Sequence, residues 1–237
     1  MSRTTFVLVH GGYHTADCWE RLSPHLHGAV RAPDLPGRGS SPADLREVRL
    51  SRWIDAVTHE VAEARSTEVV LVGHSLAGLV LPAVARNIPE RITRLVFISA
   101  VLPREGRTQR TNLPWAGRLA ARVQTRDGAL RPPPQWLTRR LFCNDMDDQT
   151  TTWVAEHLVP EAVRVFDEPV SRRGVPEVPT TYVRLTRDRA VPRRIADRQI
   201  AAYGRPVEVA DLDSGHDVMV SHPRQLGALL NRYAAGQ

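Results

Sequence analysis

A serine, an aspartate and a histidine, each placed just behind a run of apolar residues, carry the chemistry this chain could perform. Ser75 lies in Gly73-His74-Ser75-Leu76-Ala77-Gly78, directly after Glu68-Val69-Val70-Leu71-Val72. A serine hydroxyl is a weak nucleophile until a base takes its proton, and the base needs an acid to orient it. His216, in Asp213-Ser214-Gly215-His216-Asp217, and Asp188, in Thr186-Arg187-Asp188-Arg189, follow later apolar runs. In concert they would attack an electrophilic carbon through Ser75 Oγ, with His216 moving the proton and Asp188 fixing the imidazole.

Other residues compete for these roles. A serine between a strand and a helix is also a common helix cap, and the usual G-x-S-x-G spacing is altered here, with Ala77 in the second glycine's place and Gly78 one position later. For the acid, Asp197 falls in a helical stretch, Asp211 points along a strand, and Asp213 and Asp217 crowd the histidine itself. Among the other histidines, His10, His74 and His222 sit in or beside the motifs, but only His216 lies in a loop after the last strand. His10 and His74 read as structural.

The positioning elements follow from periodicity. Short apolar runs at 6–10, 29–32, 68–73, 92–98, 180–185 and 207–212 predict strands, the continuous β-branched one before Ser75 buried on both faces. Helical spacing appears at 19–26, 51–64, 79–84, 193–203 and 223–234. Strands alternating with helices imply an α/β fold: a mostly parallel sheet of about six strands flanked by helices. Catalytic groups then gather at the carboxyl ends of the strands. Between 101 and 178 the rhythm breaks, with prolines at 103, 114, 132, 133 and 134 and two helices expected near 115–123 and 148–158. This predicts a mainly helical cap (101–178) inserted in a core formed by 1–100 and 179–237. Gly11-Gly12, after the first strand, permits a tight bend that leaves backbone N–H groups unpaired, as many strand–helix turns do.

Composition narrows the classes. The 237 residues suit one domain with an insertion, and no apolar run approaches the roughly 20 residues that span a bilayer. Met1-Ser2-Arg3 leads straight into a strand, so no signal peptide is expected; Cys18 and Cys143 match no metal or redox spacing, and a cytoplasmic location with free thiols follows. All 32 basic residues are arginine, and the net charge is +6. No nucleic-acid-binding motif accompanies them, and neither a nucleic-acid nor a membrane partner is expected. Nine arginines between 104 and 140 face only Glu105 and Asp127. That stretch reads as solvated surface, and is also compatible with an acidic substrate or carrier partner.

The segments Phe-Val-Leu-Val-His-Gly-Gly at 6–12, Ala-Pro-Asp-Leu-Pro-Gly-Arg-Gly at 32–39, Gly-His-Ser-Leu-Ala-Gly at 73–78, Thr-Arg-Asp-Arg-Ala-Val-Pro at 186–192 and Ser-Gly-His-Asp-Val-Met at 214–219 resemble the α/β-hydrolase superfamily. More narrowly they are similar to small bacterial esterases related to plant methylesterases and hydroxynitrile lyases, and Phe142-Cys143-Asn144-Asp145 shares that look. The order Ser75…Asp188…His216 is the one this fold uses. The resemblance implies an oxyanion hole formed by the backbone N–H groups of Gly12 and Leu76. It also disfavours relatives: aspartate-dependent epoxide hydrolases and dehalogenases lack a serine at the elbow, and hydroxynitrile lyases carry a threonine and a lysine where this chain has Gly11 and Asp217.

The expected activity is hydrolysis of a carboxylic ester by a serine hydrolase needing no cofactor or metal. His14 and Tyr13 follow the glycines closely enough to line the pocket. Trp115, Trp136, Phe142 and Trp153 of the cap suggest a bulky or aromatic substrate, or simply cap core. Two alternatives stand beside it: thioester, lactone, carbon–carbon or non-hydrolytic chemistry on a polyketide-like metabolite, and a slow-turnover ligand-binding protein. A homodimer and an acyl-carrier partner are compatible with the sequence.

Overall fold

A computed structural model describes residues 4–112 and 125–234. The chain opens with β1 (Thr4–Val9), two 3₁₀ turns (Ala16–Trp19 and Ser23–His25) and β2 (Ala29–Arg31). It continues through α1 (Leu50–Ala62), β3 (Glu68–His74), a 3₁₀ turn (Ser75–Leu79), α2 (Leu81–Asn87) and β4 (Ile92–Ile98). The insertion brings α3 (Gln109–Asn112), β5 (Thr125–Arg126), β6 (Ala129–Leu130), α4 (Gln135–Leu141), α5 (Asp148–His157) and β7 (Glu161–Ala162). β8 (Thr180–Leu185), α6 (Arg193–Tyr203), β9 (Glu208–Leu212), α7 (Val218–Ser221) and α8 (Pro223–Ala234) complete it.

Six strands form one sheet in the order β2-β1-β3-β4-β8-β9, every neighbouring pair parallel. Strand alternation divides the core in two. Val7, Val9, Leu71, Leu95, Phe97 and Tyr182 meet Trp53 and Val57 of α1, Val84 of α2 and Tyr203 of α6. Phe6, Leu8, Val70, Val72, Val96 and Val183 meet Trp19, Leu22 and Leu226, Leu229 and Leu230 of α8. Burial on both faces is what the unbroken apolar runs of β1, β3 and β4 require. No helix among the described residues is long and apolar enough to cross a membrane.

One expectation is revised. Residues 19–26 are not a helix: Pro24 and the polar residues around it leave only short 3₁₀ turns on either side of Leu22. Beside its helices, the insertion also holds a small antiparallel sheet of β5, β6 and β7 that the sequence did not announce. Strands of two residues leave no periodic signal. The helix expected near 115–123 lies outside the described residues.

Candidate active site

The carboxyl ends of five parallel strands converge. β3 runs straight into Ser75, whose φ of +49° is a left-handed conformation that non-glycine residues rarely hold. Its neighbours must be small: a Cβ on Gly73 would lie 2.7 Å from the Leu81 methyls, and one on Gly11 would lie 2.9 Å from Ser75 Cβ. The altered spacing of the motif has its reason here. Ala77 is accommodated in the core, whereas a Cβ on Gly78 would lie 2.4 Å from the Val101 carbonyl oxygen. The Val101 amide in turn donates to the Ser75 carbonyl at 2.8 Å.

His216 Nε2 lies 3.1 Å from Ser75 Oγ, and His216 Nδ1 lies 2.7 Å from Asp188 Oδ2. The rest of Asp188 is saturated: Oδ1 accepts from the Ala190 and Val191 amides at 2.7 and 2.8 Å, and Oδ2 also accepts from Ser99 Oγ. Burial pushes the Asp188 carboxyl up, but the imidazole and these donors outweigh it and hold it at about 2. For His216, burial pulls the imidazole down and the Asp188 charge more than restores it, so its affinity for a proton is raised. The four competing acids are engaged elsewhere. Asp197 and Asp211 pair with Arg184, Asp213 with Arg187, and Asp217 with His14.

The histidines separate by environment. His74 packs 4.6 Å from the His216 ring, with its Nε2 3.1 Å from the His216 carbonyl, and burial next to that ring lowers it to about 3. His10 is likewise lowered to about 3, by burial and by Arg38. His222 sits near Asp145. His14, expected at the pocket wall, is instead buried, with Nδ1 2.8 Å from the Gly12 carbonyl and Nε2 3.1 Å from Asp217 Oδ2. His74, His216 and Asp217 could together present three ligand atoms within 4.8 Å. The His216 nitrogens, however, already have partners in Ser75 and Asp188.

The Gly12 amide donates to no backbone or side-chain acceptor among the described residues, and Leu76 lies at the start of a short helix, whose first amides lack partners within it. Of the pocket candidates, Phe142 stacks on His216 at 5.4 Å. Tyr13 is half-buried, with φ +66°. Trp153 stacks instead on His157 at 4.2 Å and lies near Arg21. Trp136 is 67% exposed on α4 and touches none of these groups. Trp115 lies outside the described residues.

Three contributors escaped the sequence reading. Ser99, with φ +42°, braces the acid. Asp145 accepts from the Gly215 amide at 2.6 Å and from Ser214 Oγ at 3.1 Å, tying the insertion to the His216 loop. Glu161, fully buried, pairs with Arg38 and accepts from the Tyr13 amide at 3.3 Å. Asp145 alone had a sequence signal, in the run 142–145.

Comparison with known proteins finds esterases and hydrolases similar to this chain. A carbendazim hydrolyzing esterase of Nocardioides sp. (strain SG-4G) is 29% identical over 95% of this chain and 97% of its own. A pimeloyl-[acyl-carrier protein] methyl ester esterase of Aromatoleum aromaticum is 36% identical over 53% of this chain and 48% of its own. An extracellular alpha/beta-hydrolase from a Paenibacillus species superposes with a TM-score of 0.88 at 23% identity, over 97% of this chain and 98% of that one. The family model for the alpha/beta hydrolase family matches residues 6–229. With this sheet, these strand ends and that match, the chain belongs to the alpha/beta hydrolase family.

Proposed function

We propose that the protein hydrolyses carboxylic esters through an acyl-enzyme on Ser75. The observation that carries this reading is the unbroken chain of hydrogen-bond contacts from Ser75 Oγ to His216 to Asp188. His216 takes the Ser75 proton as Oγ attacks the ester carbonyl, and Asp188 stabilises the imidazolium that forms. The amides of Gly12 and Leu76 receive the oxyanion, such a donor contributing about 3 kcal/mol in the transition state. His216 then protonates the leaving alcohol and activates water against the acyl-enzyme. Residues 101–178 act as the cap, and Phe142, lying against His216, favours a bulky or aromatic group beside the reacting carbon. The esterase relatives support ester chemistry as the general class.

A fluorophosphonate probe followed by peptide mapping tests the mechanism: the adduct is expected on Ser75. Ser75→Ala is expected to lower kcat against an ester panel by at least about 10³-fold. Full activity in that variant, or an adduct elsewhere, ends this reading. A carrier-borne ester is a second reading, favoured by Arg104, Arg107 and Arg198 along one groove. It requires that a carrier-linked ester be preferred over its free methyl ester at low salt and lose that preference at high salt.

A further inference from the structure

Gly12 has no side chain to hold it, yet both peptides that flank it are gripped. Leu35 N–H donates to His10 Nε2 at 3.1 Å, so the proton of neutral His10 is on Nδ1, which donates to the Gly11 carbonyl at 3.0 Å. On the other side, His14 Nδ1 meets the Gly12 carbonyl at 2.8 Å, and the N–H of the same peptide, that of Tyr13, donates to Glu161 at 3.3 Å. The Tyr13 carbonyl accepts from Val159 N–H at 2.8 Å.

The His14 contacts fix its protons. A carbonyl only accepts, so Nδ1 carries one. Nε2 faces Asp217 Oδ2 at 3.1 Å, and no other donor reaches this buried carboxylate among the described residues. An unpaired buried carboxylate is costly, so the second ring proton pairs with it. Burial pulls His14 down and pushes Asp217 up, but their mutual attraction reverses both. Around the pair, His10 and His74 are held neutral by burial and Cys18 is held as the thiol. Positive charge on His216 opposes protonation of His14.

We infer that His14, braced by Asp217, is a positioning residue that locks the Gly12–Tyr13 peptide and so keeps the Gly12 N–H aimed at the reacting carbonyl; this rests on the esterase reading. Because the Asp217–His14 pair is neutral as a whole, its task is geometric. Replacing the carboxylate by an amide removes the negative charge and the second ring proton together, and leaves Nδ1–H on the Gly12 carbonyl.

The test compares His14→Ala, His14→Gln and Asp217→Asn by ester kinetics, and by ¹⁵N NMR of histidine-labelled protein. His14→Ala is expected to lower kcat at least about tenfold with KM within about threefold, since a small misplacement of a reacting group is enough for such a loss. His14→Gln, which keeps an N–H donor, recovers most of it. Asp217→Asn is expected to lose less kcat than His14→Ala, because the brace is removed but the donor to Gly12 survives. In the spectra, a doubly protonated imidazole distinct from that of His216 vanishes in His14→Gln and becomes a singly protonated ring in Asp217→Asn. His14→Ala with undiminished kcat, His14→Gln no better than His14→Ala, a neutral ring in the parent, or Asp217→Asn as slow as His14→Ala overturns the inference. Absence of Ser75-dependent turnover with the imidazolium signal intact instead refutes the esterase reading and leaves the clamp in place.

Discussion

Asp188 holds its charge because every lone-pair direction that matters is occupied: His216 and Ser99 on one oxygen, two amides on the other. Its carboxyl falls from the ordinary 3.8 to about 2 on folding. A depressed carboxyl stabilises the fold above its unfolded value, here on the order of 2 kcal/mol, and that contribution is lost as pH falls from 3.8 toward 2. For His216 the shift is upward. Its protonation therefore favours the fold fully below 6.5 and ceases to do so as pH rises through the folded value. Catalysis needs the unprotonated base, so kcat/KM is expected to rise with pH through a midpoint above 6.5. Asp188→Asn should move that midpoint down and lower kcat by about 10⁴-fold, the scale of a triad with its imidazole misoriented; an unmoved midpoint in the pH–rate profile counts against Asp188 as the partner. Asp188 was legible because it follows a strand while its rivals sit in a helix, in a strand or against His216. Ser99 was not legible as a partner, since a lone serine after a strand carries no signal of what it bonds.

At the scale of the elements, the turn after β3 decides which residues can be exchanged. Sequence spacing alone marks Ala77 as a departure, and only the crossing of this turn against Val101 shows that the glycine-requiring position has moved to 78. Gly78→Ala drives a Cβ against a backbone oxygen that is fixed by its own strand end, and should cost about 1–3 kcal/mol in urea unfolding while slowing acylation. Ala77→Gly meets no such obstacle and should cost only about 0.5–1 kcal/mol, from added freedom in the unfolded chain. Equal losses in the two variants would show that the position of the close approach has been misassigned. The six strands of the main sheet were legible from their apolar runs. The stretch 16–25 was not, because Trp19 and Leu22 are spaced as on a helix while their burial comes from the sheet and α8 rather than from helical packing.

Across the whole molecule, the insertion packs apolar residues into both layers of the core, Cys143 and Val154 in one and Ala162 and Val165 in the other, and a buried ion pair joins it to the core as well. Arg38, in the loop after β2, and Glu161, in β7, are both fully buried and paired, with the guanidinium also over the Trp53 ring at 5.6 Å. Arg38 was visible in the sequence only as part of a proline- and glycine-rich loop, and Glu161 only as one acid in an aperiodic insertion; no local pattern announces a contact across more than a hundred residues. Its energetics follow from the cost of an uncompensated buried charge. Glu161→Gln strands Arg38 and should destabilise the protein by about 3–5 kcal/mol, whereas the double variant Arg38→Leu/Glu161→Leu removes both charges and should lose clearly less. Urea unfolding of the singles and the double, with the slope unchanged, reads this directly. Glu161→Gln can supply an acceptor to the Tyr13 amide or the Ala162 amide with its one oxygen, but not to both, and Glu161 now serves each with a separate oxygen. The same substitution should therefore slow ester turnover in the protein that remains folded, because the insertion and the oxyanion turn share this one carboxylate. A double variant less stable than Glu161→Gln would mean that the pair is held for its attraction, and that the insertion is anchored to the core by it.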